Sequence, residues 1–174
     1  MLIVTYTDGT SATLGTVSSS TGGSGTVNNG AYTDVYTDAL DFYPINNGSE
    51  YSVSIGKAIY LTSIVIPATY NGKPVTRIES RGFSPADGDT TVLKQIIIPA
   101  SVTEIGICAF ENCEALSSVV FLTDDAGNGG LKKIDANAFS NCGSLETITL
   151  PASVEEVSEY AFDEGVVIIF SKDN

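Results

Sequence analysis

Apolar and polar residues alternate through most of the chain after Ala39, and one apolar spacing returns four times. The clearest copy runs from Leu93 to Ala115 and reads LKQIIIPASVTEIGICAFENCEA, and the next copy begins at Leu116, 23 residues later. Within each copy, LxxIxIP predicts one strand, because β-branched residues two apart face the same side. The proline that follows lacks an amide N–H and therefore ends the strand.

The rest of each copy predicts two further buried features. An apolar pair three residues apart, such as Val102 and Ile105, predicts a second short extended or turning leg that faces the interior. A small residue and a phenylalanine then close the copy: the small residue lets successive coils approach, and the ring fills the gap between them. These rings belong to Phe83, Phe110, Phe139 and Phe162. Since 23 residues cannot enclose a core, the copies must stack and bury one another's faces.

The copies differ in length because three of their segments are insertions. The copies begin at Leu61, Leu93, Leu116 and Leu145, and a last strand, VVIIF, follows the fourth. The added segments are TYNGK and PADGDTT in the first copy and TDDAGNGG in the third. We expect them to be surface loops, because lengthening a loop adds little closure entropy.

The residues before the repeats predict a hairpin, a linker and a cap. Residues 2–14 alternate around Asp8-Gly9, a dipeptide typical of tight hairpin turns. Residues 15–30 are rich in Gly, Ser and Thr and predict a flexible linker. LDFYP and EYSVSIG predict a second hairpin that covers the first end of the stack. The predicted division is 1–38 for the hairpin and linker, 39–60 for an N-terminal β cap and 61–174 for the repeats.

The pattern LxxIxIPxxVxxIxxxAFxxCxxL resembles that of the BspA-like, or Treponema pallidum-type, leucine-rich repeat proteins over roughly residues 61–170. VIPATYNGKPVTRI also resembles the usual first-repeat insertion of that family. The resemblance implies a leucine-rich-repeat solenoid: a right-handed, β-rich superhelix with a parallel sheet on one face and short helical turns, capped by the N-terminal β-hairpin. It also implies an extracellular or cell-surface protein of a host-associated bacterium, which contacts other proteins and is not an enzyme.

The charge of the chain argues against nucleic-acid and membrane partners. It has 8 basic and 21 acidic residues, a net charge of −13, and its basic residues are scattered. Nucleic acids and anionic membrane surfaces are bound through clustered Lys and Arg, so neither is an expected partner. No window reaches the roughly 18 apolar residues of a membrane helix, and MLIV is too short for the apolar core of a signal peptide.

Catalytic chemistry has few candidates because the chain has no histidine. That absence excludes Ser-His-Asp and Cys-His catalysis and most catalytic zinc sites. Paired carboxylates could serve a glycosidase, although solvated turns on an acidic surface are the more favoured interpretation. The pairs are Asp124-Asp125, Glu155-Glu156 with Glu159, and Asp87 with Asp89.

Metal and cofactor sites are not expected either. TDDAGNGG offers oxygen ligands for calcium but lacks the spacing and distal glutamate of an EF-hand, and GTVSSSTGGSG lacks the lysine of a phosphate loop. Cys113 and Cys142 occupy one slot in consecutive copies and predict a ladder of buried thiols. A disulfide or metal site there is the less favoured alternative, and Cys108 lies outside that slot. We therefore predict no cofactor.

The remaining candidate is a surface. If Ile64, Ile96, Val119, Ile148 and Ile168 point inward, the residues that alternate with them project from the concave side of the strands. They are Val65, Ile97, Val120, Thr149 and Ile169, flanked by Ser63, Gln95, Ser118 and Thr147. An exposed apolar stripe often marks an interaction site, but β-propensity alone, or cover by another segment or chain, explains the stripe equally well.

The pattern and the resemblance together predict a protein-interaction or adhesion module that binds a protein or a host component through this concave face. The alternative is a structural spacer or stalk within a larger surface protein. A carbohydrate-binding or hydrolytic module is a more distant alternative.

Overall fold

The computed structural model describes residues 2–5, 11–14, 39–86, 91–124 and 126–171. These residues form fourteen strands and two short 3₁₀ segments, Asn46–Gly48 and Ala58–Tyr60. The strands are β1 Leu2–Thr5, β2 Ser11–Leu14, β3 Asp41–Ile45, β4 Glu50–Ser54, β5 Ser63–Val65, β6 Thr69–Tyr70, β7 Lys73–Ile78, β8 Gln95–Ile98, β9 Glu104–Ile105, β10 Ser118–Phe121, β11 Lys133–Ile134, β12 Thr147–Leu150, β13 Glu156–Val157 and β14 Val167–Phe170.

The two predicted hairpins are both present as strand pairs. β1 pairs antiparallel with β2, with Leu2 opposite Leu14, while the predicted linker lies outside the described residues. β3 pairs antiparallel with β4 around the Asn46–Gly48 turn and forms the cap. Because Pro44 and Asp41 lie in β3, the outer strand of the cap has a missing donor and a charge, both of which discourage further pairing.

The insertion TYNGK is a hairpin rather than the predicted loop. β6 pairs antiparallel with β7 across Asn71 and Gly72, which have φ values of 48° and 73°. Positive φ at both central residues is the geometry of a type I′ turn, and Asn-Gly is the dipeptide that favours it. Tyr70 then stacks on Phe42 at a centroid distance of 4.0 Å and meets Tyr51 edge-on, so the hairpin is fixed to the cap.

The repeats form a solenoid, as predicted, and the solenoid has about five turns. Each turn contributes a front strand, and the front strands are β5, β8, β10, β12 and β14. They do not form one sheet: β10, β8 and β5 pair in parallel, and β12 and β14 form a separate parallel pair. The break falls between β10 and β12, and the inserted TDDAGNGG lies between these two strands in the sequence. The predicted helical turns are also absent from the described repeats, since the 3₁₀ segments belong to residues 46–60.

The predicted second leg of each copy forms a continuous back sheet, with the strand order β13-β11-β9-β7-β4-β3. Its two-residue strands pair in parallel, so that Ile78, Ile105, Ile134 and Val157 lie in one row. Ile78, Ile105 and Ile134 are fully buried. The core lies between the front strands and the back sheet, where the predicted inward residues Ile64, Ile96 and Ile148 are also buried. Val119 is half-buried and packs against that core.

Ile168 is the exception among the predicted inward residues, because it is 40% exposed. It lies in β14, the last front strand, and pairs in register with the buried Ile148. Among the described residues, β14 has a neighbouring strand on one side only, and no described strand lies on its other side to cover the Ile168 side chain.

The small-Phe element forms a ladder through the solenoid. The rings of Phe83, Phe110, Phe139 and Phe162 stack at centroid distances of 5.1, 5.0 and 5.1 Å. Each phenylalanine amide also donates to the carbonyl of the small residue one coil later: Phe83 to Ala109, Phe110 to Ala138 and Phe139 to Ala161, all at 2.8 Å. The small residue therefore stands where the backbones of successive coils meet, as the sequence predicts.

A left-handed residue precedes every phenylalanine of the ladder by two positions. Arg81, Cys108, Asn137 and Tyr160 occupy this slot, with φ between 55° and 63°. Such a φ is uncommon outside glycine and is tolerated where the surrounding structure fixes it. Cys108 thus belongs to a repeated backbone position, although it lies outside the slot of the other two cysteines.

Candidate functional site

The front strands bury alternate residues in the core and direct the others outward. We call this outward side the strand face. It comprises ten positions: Ser63, Val65, Gln95, Ile97, Ser118, Val120, Thr147, Thr149, Val167 and Ile169. Nine of them are predicted from the sequence, and Val167 is the addition. The signal for Val167 is simple, since it lies two residues before Ile169 and must share its side of the strand.

The strand face carries a polar row beside an apolar row. Ser63, Gln95 and Ser118 lie in register, and their side chains connect: Ser63 Oγ donates to Gln95 Oε1, and Gln95 Nε2 donates to Ser118 Oγ, both at 3.3 Å. Val65, Ile97 and Val120 form the parallel apolar row. Polar and apolar contacts are thus arranged in adjacent lines across three coils.

The apolar stripe predicted on the strand face is not exposed along its whole length, because Ile97 is buried. Its side chain is 1% exposed, although it lies outside the core between the sheets. The reason is its place on the central strand, because Val65 and Val120 flank it at the same register and are themselves half-buried. Thr149 is exposed, and Ile169 is 47% exposed. The most solvent-accessible part of the strand face therefore lies on β12 and β14.

The opposite side of the solenoid is charged. Arg77, Glu104, Lys133 and Glu156 lie in register along the back sheet, beside its buried isoleucine row. Arg77 pairs with Glu104 at 3.0 Å, and Lys133 pairs with Asp135 at 2.9 Å and with Glu156 at 4.0 Å. The hydrogen bond and charge of Asp135 raise the pKa of Lys133. Exposed pairs of this kind contribute little stability, but they distinguish this side from the uncharged strand face.

Asp124, Glu155 and Glu156, three of the candidate carboxylates, already have hydrogen-bond or ion-pair partners. Asp124 Oδ1 accepts hydrogen bonds from the backbone N–H groups of Ala126 and Asn128, at 2.9 and 2.8 Å. These hydrogen bonds lower the pKa of Asp124, and the bond from the Asn128 backbone has the largest effect. Lys132 binds Glu155 at 2.7 Å, whereas Asp87, Asp89 and Asp125 lie outside the described residues. Within the described ranges, no three Cys, Asp or Glu side chains form a group that could hold a metal ion.

A shallow groove of about 480 Å³ lies between the cap and the first coil. Its lining includes Tyr43, Glu79 and Arg81. Glu79 accepts a hydrogen bond from the buried Ser52, and Arg81 pairs with Glu111 at 3.0 Å. Both charged groups already have partners, so the groove is a weaker candidate for a ligand than the strand face.

The cysteine ladder is buried and hydrogen-bonded. Cys113 Sγ donates to the carbonyl of Phe83, and Cys142 Sγ donates to that of Phe110, each at 3.2 Å. All three cysteines are free thiols. Burial raises the pKa of Cys113 to about 12, and it raises the pKa of Cys142 as well. The Cys113 and Cys142 thiols each connect their own coil to the carbonyl of the ladder phenylalanine in the preceding coil.

We expect Cys113 to resist alkylation by iodoacetamide at pH 7 in the folded protein and to react readily after unfolding in guanidinium chloride. The thiolate is the reactive species, and a raised pKa keeps the thiol neutral. Burial of the neutral Cys113 thiol contributes fully to the stability of the fold below pH 9. That contribution is lost as the pH rises from about 9 toward 12, because the unfolded chain then ionises its thiol more easily than the folded protein does. Mass spectrometry of peptides measures the reaction at each cysteine. Rapid labelling of Cys113 without unfolding would contradict the buried ladder.

A family model described as a BspA type leucine rich repeat region matches residues 76–168 in six copies. The chain belongs to this family. The BspA-type assignment confirms the resemblance that the repeat pattern indicates, and the matched residues include most of the front strands and the whole phenylalanine ladder. No helix in the described part of this BspA-type chain is long and apolar enough to cross a membrane.

Solved structures of leucine-rich repeat proteins resemble the BspA-type chain. A leucine-rich repeat protein of Treponema pallidum is 22% identical over 74% of this chain and 66% of that chain, with a TM-score of 0.58, which shows the fold alone. One from Bacteroides capillosus is 26% identical over 79% of this chain and 98% of that chain, with a TM-score of 0.63. No curated protein sequence matches significantly.

A leucine rich cell surface protein of Faecalibacterium prausnitzii is 25% identical over 83% of the BspA-type chain, with a TM-score of 0.56. The match covers 44% of that protein, so the chain spans less than half of its length.

Proposed function

We propose that the chain is a non-catalytic protein-interaction module of an exported bacterial surface protein, which binds its partner through the strand face. The observation that carries this proposal is the absence of charge there. None of the ten positions of the strand face is Asp, Glu, Lys or Arg, in a chain with a net charge of −13. Burying an uncharged surface avoids the desolvation cost of ions, and the centres of protein interfaces are depleted in charge.

The arrangement of the strand face suits a protein partner. The hydrogen-bonded row of Ser63, Gln95 and Ser118 offers donors and acceptors, while Val120, Thr149 and Ile169 offer apolar area beside it. Solenoids commonly bind along such extended surfaces. The placement at the cell surface is supported by the similar protein of Faecalibacterium prausnitzii, which is named a cell surface protein.

Thr149→Arg is expected to lower the affinity for a partner at least tenfold, because a long charged side chain would enter the uncharged strand face and have to be desolvated there. The test uses an array of purified host extracellular proteins, followed by biolayer interferometry on any protein that the wild type binds. Thr103→Arg is the matched control, since Thr103 is also exposed but precedes the charged row of the back sheet.

The two variants separate the candidate functions. Loss of binding in Thr149→Arg but not in Thr103→Arg supports the strand face. Unchanged binding in both variants would exclude the strand face, and a wild type that binds no protein on the array would favour the structural spacer. Ile97 is unsuitable as the test position because a charge at this buried site would also unfold the protein.

A further inference from the structure

One wall of the groove between the cap and the first coil is a turn of fixed backbone. Residues 79–82 form this turn, which the Gly82 amide closes by donating to the Glu79 carbonyl at 2.9 Å. The cap binds both ends of the turn: the Glu79 amide donates to the Val53 carbonyl at 2.9 Å, and the Ile55 amide donates to the Gly82 carbonyl at 2.8 Å. A Cβ atom at Gly82 would lie within 3.2 Å of the Glu79 and Val53 carbonyl oxygens, so the close approach of the cap requires glycine where later coils have alanine.

Two charged side chains of this turn line the groove, and each has a partner that holds it in place. Glu79 Oε1 accepts the hydrogen bond of the Ser52 hydroxyl, and Arg81 Nη1 donates to Glu111 Oε2 at 3.0 Å. The Arg81 side chain is nevertheless 69% exposed. Among the described residues, no hydrogen bond is formed by the other carboxylate oxygen of Glu79 or by the remaining guanidinium N–H groups of Arg81. The groove therefore offers an acceptor and several donors whose positions are set before a ligand arrives.

An exposed aromatic ring lies beside these polar groups. Tyr43 belongs to β3, lines the groove and is 47% exposed. The aromatic contacts of the described cap join Phe42, Tyr51 and Tyr70, and they do not include Tyr43. A free ring next to fixed donors and acceptors offers a flat apolar surface and polar contacts to the same ligand.

The charges of the groove favour a neutral ligand. Glu111 already neutralises the Arg81 guanidinium, and Glu79 adds a further carboxylate, so an anion would be repelled here. A metal cation has no ligand set, because no three Cys, Asp or Glu side chains in the described ranges form a group that could hold one. A neutral ligand with several hydroxyls fits both polar groups, since a hydroxyl accepts a hydrogen bond from a guanidinium and donates one to a carboxylate.

We propose that this groove is a second binding site, beyond the protein-binding strand face, and that it takes a neutral sugar of a glycan chain. The C–H groups on one side of the sugar ring would pack on the Tyr43 ring, while its hydroxyls would accept hydrogen bonds from Arg81 and donate to Glu79. Ser54 and Ser80, which also line the groove, would supply further hydroxyl contacts. The groove volume of about 480 Å³ falls within the range of roughly 300–1,000 Å³ that small-molecule sites occupy. The site shares no residue with the strand face.

The first experiment screens the full chain on an array of neutral oligosaccharides, each beside its sialylated or sulfated counterpart. The array carries both host glycans and neutral bacterial polysaccharides, which distinguishes two sources of the same chemistry. Saturation-transfer difference NMR then measures the affinity for any oligosaccharide that binds. We expect a dissociation constant on the order of 1 mM for at least one neutral sugar, because the groove is shallow, and at least tenfold weaker binding of its anionic counterpart. No binding of any neutral sugar, or tighter binding of the anionic ones, would overturn the proposal.

Two pairs of variants locate the bound sugar. Tyr43→Thr removes the ring but keeps a residue suited to a strand, and it is expected to weaken binding about tenfold. Tyr60→Thr, which removes an exposed ring outside the groove, should have no effect. Arg81→Asn is expected to weaken binding about fivefold through loss of the guanidinium donors, and it preserves the backbone because Asn137 occupies the same left-handed slot. Lys132→Asn is its control, since it removes the cation of an exposed ion pair outside the groove.

The variants also separate this site from the strand face. Equal losses in Tyr43→Thr and Tyr60→Thr, or an unchanged affinity in Arg81→Asn, would contradict the groove as the sugar site. Thr149→Arg should leave sugar binding unchanged, and a loss there would assign the sugar to the strand face and overturn the proposal. Thermal unfolding checks that each variant is folded. If Tyr43→Thr does not fold, Arg81→Asn and its control still decide the outcome.

Discussion

Phe110→Ala is expected to lower the free energy of unfolding by about 3–5 kcal/mol. The Phe110 ring is fully buried and lies between two others, 5.1 Å from Phe83 and 5.0 Å from Phe139. Its removal would leave a cavity at the centre of the stack and expose two ring faces that now have partners. Urea unfolding followed by circular dichroism measures the loss, and an unchanged m-value would show that the change is one of stability.

Two control variants show whether position in the ladder decides the effect. Tyr60 is 82% exposed, so Tyr60→Ala is expected to change stability by less than about 0.5 kcal/mol. Phe162 is half-buried and stacks on Phe139 alone, so Phe162→Ala should cost less than Phe110→Ala. Similar losses for Phe110→Ala and Tyr60→Ala would contradict the ladder as the core of the solenoid.

Most of the fold could be predicted because its core repeats. Buried residues such as Ile105 and Ile134 recur at fixed positions within each copy, and a fixed position means a fixed place in every coil. The errors fall where the copies differ. TYNGK contains Asn-Gly, a hairpin signal as strong as the Asp8-Gly9 that predicts the first hairpin, and the pairing of β6 with β7 follows from it.

The break between β10 and β12 was beyond prediction because it depends on long-range geometry. Residues added between two coils change the path of the chain in a way that the spacing of apolar residues does not record. For the same reason, the repeat pattern could not show that the back sheet would be the continuous one.

The candidate site was predictable in position but not in exposure. Alternation along a strand assigns Thr149 and Ile97 to the same outward side, yet Thr149 is exposed and Ile97 is buried. The difference arises because Ile97 lies on the central strand of three, whereas β12 pairs with a single strand in the part of the chain that the structure describes. Pairing across coils therefore decides which part of the strand face a partner can reach.

Ala109→Leu is expected to lower the free energy of unfolding by about 1–3 kcal/mol, through overpacking rather than loss of contacts. Ala109 is fully buried, and its carbonyl accepts the Phe83 amide at 2.8 Å, so the residue lies at a backbone hydrogen bond that joins two coils. A leucine there would force the coils apart and strain both this hydrogen bond and the stacking of Phe83 on Phe110. Thermal and urea unfolding measure the change.

Ala126→Leu is the matched control for this prediction, because Ala126 is exposed in the TDDAGNGG segment and its side chain has room for a larger group. It is expected to alter stability by less than about 0.5 kcal/mol. An equally neutral Ala109→Leu would contradict the prediction. It would mean that the coils have room for a larger side chain at this position, and that close approach of the coils is not the reason why a small residue recurs there. A loss of stability in Ala109→Leu but not in Ala126→Leu would show that the hydrogen bonds between successive coils require a small residue at this position. The residues at this position are Gly82, Ala109, Ala138 and Ala161.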